Sequence, residues 1–309
     1  MSTISVKNLT KTYKNFAAVD DLSFEVPKNH IVGFLGPNGA GKTTTLRMLV
    51  GLSNPTSGKI NIAGSAVVFG KNSGANLKIG YLPELPSMYG WMSGREYLKF
   101  IADTFQITDK KQQTKIAELV KLVDLEQSID KKIATYSGGM KQRLGIAQAL
   151  INNPEVIILD EPVSALDPMG RKEVLEIIQK LRKTRTILFS THILSDVDRI
   201  CDDVVIINHG KLVVSSPLAE LKAKYAQPII EVIFDSNPGK IISNLNKQPW
   251  VMSISQEGNT LRIRISDEKI INDNTPLKFL ISFGIGINKY GLVIPETEEL
   301  FIRLLEAKT

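Results

Sequence analysis

A chain of 309 residues, 43% hydrophobic and 23% charged, is long enough for two domains and excludes a disordered or fibrous protein. Its single cysteine, Cys201, excludes an intramolecular disulfide framework and suits a reducing compartment. The net charge of +6 lies before residue 228, since residues 228–309 hold nine Lys/Arg against ten Asp/Glu. Basic residues form only short runs such as Lys110-Lys111 and Lys131-Lys132, so solvated charge is expected and a nucleic-acid partner is not. No apolar run approaches the ~20 residues that span a bilayer. The first residues show no basic stretch followed by an apolar core, so no secretory signal is expected. Any membrane association would run through a partner.

In chain order, strands are predicted over 5–9, 22–26 and 31–35, then a helix over 43–51 and strands over 59–62 and 79–82. Helices follow over 95–105, 113–123 and 139–151, and a strand over 156–159. A helix over 171–183, strands over 186–189 and 204–207 and a helix over 217–225 complete the first part. The early strands, joined by short turns, point to an antiparallel layer. The later alternation points to a parallel α/β sheet. The helical stretch 85–150 reads as a subdomain inserted into that α/β core, all within a domain over 1–225. The character changes at Ala226-Gln227-Pro228. Strands over 229–234, 251–255 and 261–265, a helix over 276–283, a strand over 287–294 and a closing helix over 297–305 describe a small α+β domain over 226–309.

The most informative segment is Gly36-Pro37-Asn38-Gly39-Ala40-Gly41-Lys42-Thr43, which fits G-x-x-x-x-G-K-[ST] at every defined position. An apolar strand precedes it and the helix over 43–51 follows, the context the motif requires. The glycines let backbone N–H groups turn inward, and the helix N-terminus adds partial positive charge. Lys42 can reach the β- and γ-phosphates, and the Thr43 hydroxyl can ligate magnesium. The segment therefore predicts a nucleoside-triphosphate site built from Gly36 through Thr44.

Two more motifs follow in order. Val156-Ile157-Ile158-Leu159 is a buried strand ending in Asp160 and Glu161. Asp160 can hold magnesium beside the phosphate loop, and Glu161 can polarise an attacking water as a general base. Upstream, Ser137-Gly138-Gly139-Met140 opens a helix and offers a hydroxyl and approachable N–H groups at a positive helix end.

Over residues 4–225 the sequence resembles the ATP-binding subunit of ABC transporters, with the motifs in that family's order. The resemblance implies a P-loop ATPase fold with an antiparallel β-layer and an inserted helical subdomain, with ATP and Mg2+ as ligands. It assigns Tyr13 to stacking on adenine, Ser137, Gly138, Gly139 and Met140 to a signature acting in trans, and Asp160 and Glu161 to metal binding and catalysis. Asp167, closing Ser164-Ala165-Leu166-Asp167, falls in the loop that crosses to a second subunit, and His192 matches the switch histidine that senses γ-phosphate. Two features depart from the family pattern: the signature reads SGGMKQ rather than SGGQQ, and Glu84 stands where glutamine usually contacts magnesium and water. A carboxylate can still ligate magnesium. Glu84, the single ATPase domain and the closing stretch 294–301 are similar to the drug- and peptide-export branch, whose membrane partner is a separate six-helix permease.

That resemblance implies an ATPase driving export from the cytoplasmic face of the membrane, as a head-to-tail dimer of two copies held through the permease. The alternative is a non-transport ABC ATPase associated with nucleic acid or the ribosome. Those usually carry a long coiled coil or two ATPase domains, and this sequence has neither a sustained heptad run nor a second phosphate loop. Pro86-Ser87-Met88-Tyr89-Gly90-Trp91-Met92 precedes a helix capped by Ser93 and Glu96. These aromatics and methionines either dock the permease or staple the helix start in the core.

Overall fold

The computed structural model describes residues 2–70, 74–225, 229–266, 269–293, 301 and 304. They divide into two compact units, residues 1–218 and 219–307. In the first, β1 (Ser2–Tyr13) and β2 (Phe16–Pro27) form a long antiparallel hairpin. β3 (Ile31–Leu35) leads through the phosphate loop into α1 (Lys42–Leu49), and β4 (Ser57–Ile62) and β5 (Ser65–Ala66) return to the hairpin sheet, ordered β2-β1-β4-β5. Both hairpin strands are longer than expected. Register shifts near Val6–Leu9 and outward polar side chains break the alternation that a sequence reading follows.

β6 (Ile79–Leu82) is followed by three helices, α2 (Gly94–Thr104), α3 (Asp109–Leu122) and α4 (Gly138–Ala149), before β7 (Val156–Leu159). Then come α5 (Pro168–Leu181), β8 (Thr186–Thr191), α6 (Leu194–Ile200), β9 (Asp203–Asn208), β10 (Lys211–Pro217) and α7 (Leu218–Tyr225). The second sheet runs β10-β9-β3-β8-β7-β6, parallel except for the antiparallel edge strand β10. Neither α6 nor β10 is marked in the sequence. α6 has too few turns for a periodic signal, and β10 ends in Ser215-Ser216-Pro217, which suits only a sheet edge.

The parallel strands are covered on both faces, as such sheets must be. In β7, Val156 and Ile158 face the core shared with the hairpin sheet and α1, while Ile157 and Leu159 face the core built with α2 to α5. Every parallel strand therefore ends at one edge of the sheet, and the loops leaving that edge carry the chemistry.

In the second unit, which takes in all of α7 but its first residue, β11 (Ile229–Phe234), α8 (Gly239–Leu245), β12 (Val251–Glu257), β13 (Thr260–Ile265), α9 (Lys269–Asn272), α10 (Thr275–Ile281) and β14 (Ile287–Val293) follow; the strands form an antiparallel sheet, ordered β12-β13-β11-β14, and α8, α9 and α10 are short. Ile230, Val232, Phe234, Leu261, Ile263 and Ile265 alternate onto one face and meet Ile241, Leu245, Trp250 and Leu280. On the strands' other register, Glu231 pairs with Arg262 and Lys289, each at 3.1 Å. The change of character at 226–228, the closing helix expected over 297–305 and the stretch 294–301 lie outside the described residues, except for positions 301 and 304.

Candidate functional site

The loop between β3 and α1 folds by close backbone approach. A Cβ on Gly36 would stand 2.5 Å from the Ile207 carbonyl oxygen, and one on Gly41 would stand 2.4 Å from that of Ala18. Gly41 also has φ of 101°, a conformation that glycine adopts without strain. Gly210 N donates to Ala40 O at 3.0 Å, tying the loop to the β9–β10 turn. Lys42 is buried and its Nζ donates to Gly36 O at 2.8 Å, so the ammonium folds back over the loop.

The ends of β7 and β8 supply the acids and the histidine. Asp160 and Glu161 are 1% and 8% exposed, a degree of burial that carboxylates tolerate only with partners. Ser190 provides them: its Oγ donates to Asp160 Oδ1 at 2.6 Å and accepts from Glu161 N at 2.9 Å. Thr43 Oγ1 donates to the same Asp160 oxygen at 3.3 Å. Glu161 has φ of 47°, the left-handed region. That turn sends one carboxylate oxygen to 3.6 Å from Lys42 Nζ and the other to 2.9 Å from His192 Nδ1. An ionised Glu161 oxygen at this distance accepts from the His192 tautomer that carries its proton on Nδ1.

Lys42, Thr43, Glu161 and His192 line one cleft of about 420 Å³, with Pro37, Asn38, Gly39, Thr44 and Glu84 on its wall. The predicted Gly41 lines the cleft as well, whereas Gly36, Ala40 and Asp160 are not on its wall. Tyr13 does not line it. It ends β1, exposed, with Lys11 Nζ 4.8 Å from its ring centroid. Phe16, directly opposite Tyr13 in the hairpin register and 64% exposed, lines the cleft instead. Ser137, Gly138, Gly139 and Met140 are not on the cleft wall either. Ser137 caps α4, its Oγ accepting from Met140 N at 3.2 Å. Asp167 caps α5, its Oδ1 accepting from Gly170 N at 2.8 Å.

Ser190 is the residue the sequence reading passes over. It sits at the end of an apolar strand within Ser190-Thr191-His192, and only the β7–β8 pairing brings it to the acids. The capping box at Ser93 and Glu96 is formed as expected. Trp91, 68% exposed, is no core staple, and Tyr89 stands exposed beside it with ring centroids 6.0 Å apart.

The family described as ABC transporter matches residues 19–164. An uncharacterised ABC transporter ATP-binding protein of Bacillus subtilis, YxlF, is 39% identical over 304 residues, covering 98% of this chain and all of that protein. The chain belongs to the ABC transporter ATP-binding proteins. This ABC ATP-binding protein is also 37% identical to the bacitracin transport ATP-binding protein BcrA of Bacillus licheniformis, over 100% of this chain and 99% of that one. Both matches run through the second unit as well as the first. A dimeric ATP-binding cassette solved in a post-hydrolysis state with ADP and Pi superposes with a TM-score of 0.63 at 25% identity, covering 70% of this chain and 98% of that chain. The protein is an ABC ATPase: it binds ATP, and its hydrolysis is coupled to transport.

Proposed function

We propose that this subunit drives export through a separate integral-membrane permease, which holds it at the cytoplasmic face of the membrane. The observation that carries the reading is the meeting of Lys42, Thr43, Asp160, Glu161 and His192 at the ends of three adjacent parallel strands. Full-length similarity to a bacitracin transport protein supports export over a nucleic-acid or ribosome-associated role. No helix among the described residues is long and apolar enough to cross a membrane, so the reading places the substrate path in the partner.

In the proposed mechanism, Lys42 and the N–H groups of residues 39–43 grip the triphosphate and fix the γ-phosphorus. His192 holds one Glu161 oxygen and leaves the other facing the cleft. A water oxygen attacks the γ-phosphorus while its proton passes to Glu161. The bond to the bridging oxygen breaks, and its electrons leave with ADP. Thr43 Oγ1 and Asp160 are hard oxygen donors that meet at 3.3 Å, with Glu84 on the same cleft, a donor set that fits Mg2+. Bound there, the ion would neutralise charge on the β- and γ-phosphates.

The signature residues stand off the chain's own cleft, which favours their completing a second copy's site in a head-to-tail dimer, with Asp167 in the crossing loop. Mixing Ser137→Arg chains with Glu161→Gln chains tests this. A mixed dimer holds one site with an intact base and an intact signature, so activity should return. No recovery from heterodimers shown to form would refute the arrangement. For export, the full-length chain purified from detergent-solubilised membranes should bring a multi-helix membrane protein with it, and capture without one would refute the reading.

A further inference from the structure

Arg171 stands in the first turn of α5 and reaches α6. Its Nε donates to Asp196 Oδ1 at 2.7 Å, and its Nη2 donates to Ser195 Oγ at 2.8 Å. α5 begins at the loop that Asp167 caps, and α6 begins two residues after His192. One guanidinium thus grips two consecutive residues of the helix behind the histidine, from the helix behind the crossing loop.

The energetics of this pair do not suit a simple staple. Asp196 is 2% exposed, and its Oδ2 is buried without a hydrogen-bond partner among the described residues. Burial pushes its carboxyl up from the usual range, with the Arg171 hydrogen bond the main opposing influence. A buried ion pair with half its carboxylate unsatisfied gains little over apolar packing of the same volume. It does impose direction, because the guanidinium fork is planar and rigid. A second bridge between these helices, Arg199 to Glu176 at 3.7 Å, is more exposed and sets no such geometry.

We infer that Arg171 is a positioning residue for ATP hydrolysis: through Ser195 and Asp196 it couples the loop ending at Asp167 to the His192 ring, and so to the Glu161 carboxylate. The inference rests on the assignment of Glu161 as base. A displacement of the crossing loop by a second subunit is carried along α5 to Arg171, across to α6, and back to the histidine that holds the base.

A double-mutant cycle in the full-length chain, read by single-turnover ATP cleavage with protein in excess, tests the coupling. Arg171→Ala should lower the cleavage rate tenfold or more while ATP affinity stays within twofold. In a His192→Ala background the same change should alter the rate less than twofold, because its route to the base is already cut. Fully multiplicative losses, or weaker ATP binding with an unchanged cleavage rate, would overturn the inference. If Arg171→Ala does not fold, Asp196→Asn, which keeps side-chain size and one acceptor oxygen, enters the same cycle and is judged in the same way. Glu161→Gln is measured alongside. A wild-type rate in that variant sinks the base assignment, whereas an inactive Glu161→Gln with multiplicative Arg171 effects sinks the coupling alone.

Discussion

The Lys42 ammonium lies 3.6 Å from a Glu161 oxygen, with both side chains over nine-tenths buried, so the phosphate-binding cation and the proposed base share one electrostatic environment. Glu161→Gln removes a negative charge beside the cation that must meet the triphosphate. We expect turnover to fall about 100-fold or more, the scale of losing a positioned base. ATP affinity should be equal or higher, and the variant should run as an ATP-stabilised dimer on size exclusion. Wild-type turnover would remove Glu161 from the role.

Ser190→Ala should resemble a catalytic mutation although the side chain makes no proposed contact with ATP. It deletes the donor to Asp160 and the acceptor for Glu161 N, leaving buried polar atoms short of partners. The cost to stability is about 1–3 kcal/mol. Calorimetry should show the lowered melting temperature and kinetics a fall in kcat. Ser190→Thr, which keeps the hydroxyl, should recover most of both, and an Ala variant equal to wild type would refute the role.

Phe16 presents an exposed ring to the cleft that holds Lys42 and Thr43. Removal of one aromatic contact typically weakens binding by about 0.5–1.5 kcal/mol. Phe16→Ala should therefore weaken ATP binding severalfold while leaving inorganic triphosphate binding unchanged, both read by isothermal titration. Equal losses for both ligands would place the defect in the phosphate loop. Tyr13→Ala in parallel measures the share of the residue that the family resemblance selects.

Tyr89 and Trp91 form an exposed aromatic pair, with Phe100 5.8 Å from Tyr89 by ring centroid. Tyr89→Ala and Trp91→Ala should leave basal ATPase unchanged and stability within about 0.5 kcal/mol, as at other exposed sites. Both should weaken co-purification with the membrane partner and abolish transport. A melting temperature lowered by several degrees together with lost ATPase would assign the rings to the subdomain's own packing.

Burial, aided by the Asp160 charge, pushes the Tyr81 phenol up to about 12 from an ordinary value of 10.0. The folded state holds this proton more tightly than the unfolded state does. Its contribution to stability is thus complete below pH 10 and lost as pH rises from 10 towards 12. Thermal melts of wild type and Tyr81→Phe should run in parallel below pH 10, with only wild type losing the extra stability above it. Parallel curves throughout would show that Tyr81 titrates as it does in water.

The sequence by itself determined the phosphate loop, the acidic strand end and most of the strands and helices, with α6, β10 and α8 among the exceptions, because each is written in contiguous residues. Glycines at fixed spacing, an apolar run ending in Asp160-Glu161 and the Ser93–Glu96 cap are local signals whose physics needs no distant partner. Tertiary structure decided what depends on strands 30 or more residues apart becoming neighbours. Ser190 becomes the hinge of the acids only because β7 pairs with β8. Glu161 reaches both Lys42 and His192 only through a left-handed turn that its residue type does not announce. The hairpin register brings Phe16 rather than Tyr13 to the cleft wall, although both are aromatic and three residues apart. The two tryptophans likewise look alike in sequence. Trp250 is buried against Phe279 in the second unit while Trp91 stays on the surface, a difference set by the elements that fold over each ring rather than by the ring.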